Sequence, residues 1–140
     1  YTTRIARALR EQNPRVAFLP IIYLPTIGSQ SFLEPRRYAL DGVIFAYADL
    51  LQSVPLAGQL EACRRWLGSG KLLMVNIYGT GSSGPKPPGP RTADYMTETL
   101  QISRRLADGI RVYCLPKDKL NGDPRFKAVA DLYRQWGDEP

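Results

Sequence analysis

The chain has 140 residues, 44% hydrophobic, 23% charged and 10% aromatic, which excludes disordered, fibrous and collagen-like classes and fits a globular fold around one core. Its net charge of +6 comes from Lys and Arg scattered in pairs, such as Arg36-Arg37, Arg64-Arg65 and Arg104-Arg105, a pattern of solvated helix faces rather than a nucleic-acid footprint. There is no His, no apolar run of membrane-spanning length, and only two cysteines, Cys63 and Cys114, without metal-ligand or disulfide-framework spacing; imidazole catalysis, most zinc sites and a membrane span are excluded for this segment.

A helix is expected over 2–12, with Ile5 and Leu9 on its apolar face and Asn13-Pro14 as its end, since proline cannot continue it. A strand follows over 16–24, then a short connection around 31–38 and a second strand over 42–47. The next helix, 55–67, aligns Leu56, Leu60, Cys63 and Leu67, with Pro55 near its first turn and Gly68 as stop. A third strand over 72–78 leads into the segment from Gly79 to Gly84, and Thr92 caps a helix that reaches Ala107 and buries Met96, Leu100 and Leu106. The fourth strand covers 110–115, and a last helix carries Phe126, Val129, Leu132, Tyr133 and Trp136 on one stripe.

The four strand segments are nearly continuous in apolar character, as strands buried on both faces of a parallel sheet are. Their alternation with helical segments predicts an α/β fold of parallel (β/α) units. Doubly wound sheets and barrels share this alternation. The stripe ending at Trp136, before a polar tail, predicts the close of a domain. The four strands are then the last four of eight, so 1–140 is a single (β/α)4 segment, the C-terminal half of a TIM (β/α)8 barrel. The N-terminal half is expected upstream of Tyr1, where the chain begins within a helical pattern and without Met. Asp41-Gly42 and Asp108-Gly109 both stand at helix-to-strand junctions, where glycine is expected in a left-handed C-cap.

Function in parallel α/β folds gathers at the C-terminal ends of the strands. Tyr23, Tyr47, Asp49, Asn76, Tyr78, Tyr113 and Lys117 stand at or near these ends. Aromatic faces with a few amide, carboxylate and ammonium groups suit a saccharide or another polyhydroxylated molecule. Tyr23, Tyr47, Asn76, Tyr78, Tyr113 and Lys117 are the expected substrate-binding residues. Asp49, the carboxylate that directly follows a strand, is the candidate for acid or base work. Each has a plainer reading too: Tyr packs its ring while its hydroxyl meets water, Asp caps turns, and Lys117 pairs with Asp118 on the surface.

Gly79-Thr80-Gly81-Ser82-Ser83-Gly84 matches G-x-G-x-x-G after a strand. A dinucleotide site needs a helix to open inside that motif, and Pro85, Pro87, Pro88 and Pro90 forbid it. A P-loop fails because Pro85 and Lys86 follow Gly84. No cofactor or metal is expected. A barrel enzyme that binds a phosphorylated metabolite through this Gly-rich loop stays open as a competing expectation, as does a carbohydrate-binding module without catalysis.

The segments Leu40-Asp41-Gly42-Val43-Ile44-Phe45-Ala46-Tyr47, Asp108-Gly109-Ile110-Arg111-Val112-Tyr113-Cys114-Leu115-Pro116-Lys117 and Val129-Ala130-Asp131-Leu132-Tyr133 resemble bacterial glycoside-hydrolase-like TIM-barrel proteins. The resemblance is one of layout and strand-end wording and covers most of the chain. It implies carbohydrate processing with paired carboxylates. Strand 72–78 carries Asn76 and no Glu or Asp, so the resemblance implies that the reacting carboxylates lie in the N-terminal half and that the residues present orient substrate.

Overall fold

The computed structural model describes residues 2–22, 39–47, 55–81, 89–90 and 92–113, together with Pro124, Lys127, Ala130, Asp131, Arg134 and Gln135. In chain order the elements are α1 (Thr2–Gln12), β1 (Ile21–Ile22), β2 (Gly42–Tyr47), α2 (Leu56–Leu67), β3 (Leu72–Tyr78), β4 (Thr80–Gly81), β5 (Gly89–Pro90), α3 (Ala93–Leu106) and β6 (Gly109–Tyr113). Strands β1, β2, β3 and β6 form one sheet in that order, and every pairing in it is parallel. The expected α/β class with parallel (β/α) units is therefore observed.

Helix limits follow from local chemistry. The Thr92 hydroxyl accepts the N–H of Tyr95 at 3.2 Å and so caps α3. Pro55 precedes the first turn of α2, and Gly68 ends it at φ 82°, a conformation that costs a side-chain-bearing residue strain. The stripe Leu56, Leu60, Cys63 and Leu67 is buried, as are Met96 and Leu100 of α3. These residues pack on Val43, Phe45, Leu73, Val75 and Ile77, with Ile110 and Val112 partly buried against them. Both α2 and α3 therefore cover one face of the sheet, and each fully buried Leu or Phe there contributes about 1.5–3 kcal/mol.

Three expectations need correction. Residues 16–20 are not ladder strand, and among the described residues the first strand pairs at Ile21 and Ile22. Pro20 has no N–H to give, and the N–H of Phe18 is taken by the Asp41 carboxylate at 2.7 Å instead of a ladder carbonyl. On α1, Ile5 and Leu9 are 39% and 40% exposed while Ala6 is buried. Arg10, one turn on from Ala6, donates to Asp41 Oδ1 at 2.7 Å and to the Ala39 carbonyl at 3.0 Å, and this tether turns the Ile5 and Leu9 stripe outward.

The third correction concerns Gly42 and Gly109. The glycines with positive φ among the described residues are Gly68 and Gly70, so neither Asp-Gly glycine is a left-handed cap. Gly42 is required by close approach, because a Cβ there would lie 2.0 Å from the Leu72 carbonyl oxygen.

The connection expected at 31–38 and the stripe Phe126, Val129, Leu132, Tyr133 and Trp136 lie outside the described residues. Pro124, Lys127, Ala130, Asp131, Arg134 and Gln135 are helical, Ala130 is buried, and Asp131 pairs with both Lys127 and Arg134.

Candidate functional site

Strand pleating sorts side chains into alternate layers, and the sheet register shows which positions stand side by side. Val43 pairs with Leu73, Phe45 with Val75, Val75 with Ile110 and Ile77 with Val112, and these rows meet α2 and α3. The alternate rows form the opposite face. Its lowest full row runs Ile21, Ile44, Met74, Gly109, and the next runs Ala46, Asn76, Arg111. Tyr78 pairs with Tyr113 above them, toward the strand C-termini.

Asn76 is 4% exposed, and its carboxamide oxygen Oδ1 has no hydrogen-bond partner. A buried acceptor left unpaired costs about 1–3 kcal/mol, so its retention calls for an explanation. Ala46 on one side offers it nothing polar. On the other side stands Arg111, an exposed residue in the middle of an otherwise apolar strand. Tyr78 is half-buried two residues further along β3.

Of the expected site residues, the structure brings Asn76, Tyr78 and Tyr113 into two adjacent rows at the C-terminal side of the sheet. Tyr47 pairs with Ile77, a strand position of the opposite, helix-covered face. For Tyr47 and Tyr113 the backbone alone is described. Tyr23, Asp49 and Lys117 lie outside the described residues, as do Ser82, Ser83 and Gly84 of the Gly-rich segment. At the start of that segment Thr80 and Gly81 pair antiparallel with Pro90 and Gly89. Among the described residues, the helix that follows this segment begins at Ala93.

Arg111 was missed in the sequence reading, although a lone charge between Ile110 and Val112 is a usable signal in a strand of this kind. Also missed was a polar device at the other end of the sheet. Asp108 Oδ2 accepts from Arg64 at 2.8 Å and from the N–H of Leu73 at 2.7 Å. Asp41 makes the equivalent pair of contacts with Arg10 and Phe18. The backbone follows suit, with Asp108 N–H bonded to Leu73 O and Asp41 N–H to Phe18 O.

The N–H of Phe18, opposed by partial desolvation and helped by the Arg10 guanidinium, holds the Asp41 carboxyl below its usual range. Burial pushes the Asp108 carboxyl up, but the Leu73 N–H and the Arg64 guanidinium outweigh it and leave it low. These ionised, already engaged carboxylates sit at the strand N-termini and serve the fold rather than chemistry. Cys63 is equally unsuited to reaction, because burial pushes its thiol up to about 12. Among the described residues no three His, Cys, Asp or Glu side chains gather to hold a metal, and no helix is long and apolar enough to cross a membrane.

No family model, no curated protein and no solved structure matches this chain.

Proposed function

We propose that the chain is the substrate-holding part of a (β/α) barrel that processes carbohydrate. The observation that carries this reading is the unpartnered, buried Oδ1 of Asn76 beneath the Tyr78 and Tyr113 row. An acceptor of this kind waits for a donor that a ligand brings. A sugar hydroxyl is such a donor, and the half-buried Tyr78, one row above on the same face, supplies a stacking surface of the kind a sugar ring needs.

The strand order supports a barrel over a doubly wound sheet. The order β1-β2-β3-β6 runs without reversal, and α2 and α3 share one face, whereas a doubly wound sheet reverses at a switch point and puts helices on both faces. In this reading Asn76 accepts a hydroxyl and Tyr78 bounds the sugar ring. The reacting carboxylates come from barrel strands outside this chain, as the resemblance to glycoside-hydrolase-like barrels implies.

Titration with oligosaccharides, followed by tyrosine and tryptophan fluorescence, tests the proposal. A saturable signal that Asn76→Ala weakens about tenfold or more is expected, because a well-made hydrogen bond is lost. Absence of binding to any saccharide would overturn it.

A further inference from the structure

We infer that the group held against Asn76 is an acetamido substituent, which makes the ligand an N-acetylated amino sugar. The inference rests on the carbohydrate reading of the same face and sharpens it to a substrate class.

The sheet face opposite α2 and α3 changes character at Asn76. Beneath it run the row of Gly42 and Leu72 and the row of Ile21, Ile44, Met74 and Gly109, and these positions carry no polar side chain. Ile44 and Met74 are half-buried and Ile21 is 49% exposed. Met74 lies over Gly109, with Cε 3.2 Å and Cγ 3.5 Å from the place a Cβ would occupy, so its thioether spreads across this floor. In the next row the small Ala46 pairs with Asn76, whose Oδ1 is buried and unpartnered. One acceptor therefore borders an apolar floor.

A group that satisfies both must carry a donor and an apolar end in one short unit. An acetamido group does. Its N–H gives its single proton to Oδ1 and brings no lone pair that asks for a second partner. Its methyl, at the far end of the same planar unit, lies on Ile44 and Met74, where it leaves water. A hydroxyl at the same carbon donates to Oδ1 but leaves the floor uncovered, and an ammonium loses hydration beside apolar neighbours.

The test compares, by calorimetry, a chitooligosaccharide with the cello-oligosaccharide of equal length, which has a hydroxyl in place of each acetamido group, and with the de-acetylated oligomer as a third arm. Wild-type chain is expected to bind the acetylated ligand about fourfold or more tightly than the hydroxylated one, the worth of one methyl group taken from water. Met74→Leu keeps that ratio, and Met74→Gln, which makes the floor polar at similar size, brings it toward one. Equal affinity for the acetylated and hydroxylated ligands, or a de-acetylated oligomer that binds as tightly as the acetylated one, overturns the acetamido assignment and leaves the carbohydrate reading standing. A ratio that survives Met74→Gln unchanged overturns the role of the floor. Binding of none of the three, while another oligosaccharide titrates, overturns this inference alone; binding of no saccharide at all overturns both.

Discussion

Asp108 and Arg64 are joined at 2.8 Å through Asp108 Oδ2, and that same oxygen receives the N–H of Leu73 at 2.7 Å. One carboxylate therefore ties the last turn of α2 to the start of β3 and to the entry of β6. Replacing Asp108 by Ala leaves the Leu73 N–H without its acceptor and is expected to cost about 1–3 kcal/mol, read as a lower urea midpoint at unchanged slope. Arg64→Ala is expected to cost less, about 1 kcal/mol, because this pair is partly exposed and screened. Equal losses from the two variants contradict this ranking.

Both Asp41 and Asp108 are held below their ordinary value of 3.8 in the folded chain. A carboxylate with a depressed folded pKa stabilises above the unfolded value, and that contribution disappears as pH falls through the folded one. The melting temperature is expected to be flat above about pH 5 and to fall as pH drops below 3.8. In the double variant Asp41→Asn, Asp108→Asn this acid fall should be shallower. An unchanged acid limb in that variant refutes the assignment.

Cys63 is fully buried, and its thiol is raised to about 12. In a Cys114→Ser chain, a disulfide reagent at pH 8 is expected to find no reactive thiol in the native state and one thiol after unfolding in guanidinium. Rapid native labelling contradicts the packing of α2 on the sheet.

Two substitutions probe that packing directly. Leu60→Ala, at 0% exposure, is expected to cost about 2–5 kcal/mol, and Leu72→Ala, at 44% exposure, less than about 1 kcal/mol. Gly42→Ala forces its Cβ into the Leu72 carbonyl and is expected to cost about 1–3 kcal/mol or more, since backbone rather than a flexible side chain must yield. Denaturant curves for the three variants check the order.

Much of this architecture is legible in the residues themselves. Segments 42–47 and 72–78 stand out because both of their faces carry apolar side chains, and both match β2 and β3 in full. Helices α2 and α3 are legible through their caps and the spacing of Leu56, Leu60, Met96 and Leu100. What escapes is set by long-range polar contacts. The tether of Arg10 to Asp41, 31 residues apart, overrides the apolar periodicity of α1 and exposes Ile5 and Leu9. The Asp-Gly echo is visible in the sequence, but its cause is not: the glycine answers to a neighbouring strand and the aspartate to an arginine on a helix more than 30 residues earlier. At the candidate site Asn76 and Tyr78 are legible as strand-end residues, whereas Ile44 and Met74 become meaningful only once the register sets them side by side in the row beneath Asn76.

The most direct test of the account follows the side-chain amide of Asn76 by nuclear magnetic resonance while an oligosaccharide is titrated into the isotope-labelled chain. The Asn76 Nδ2 protons and the backbone amide of Arg111 are expected to shift together and saturate at one dissociation constant. Binding that moves neither signal, with shifts confined to the helix-covered face or to the Asp41 and Asp108 end of the sheet, contradicts it.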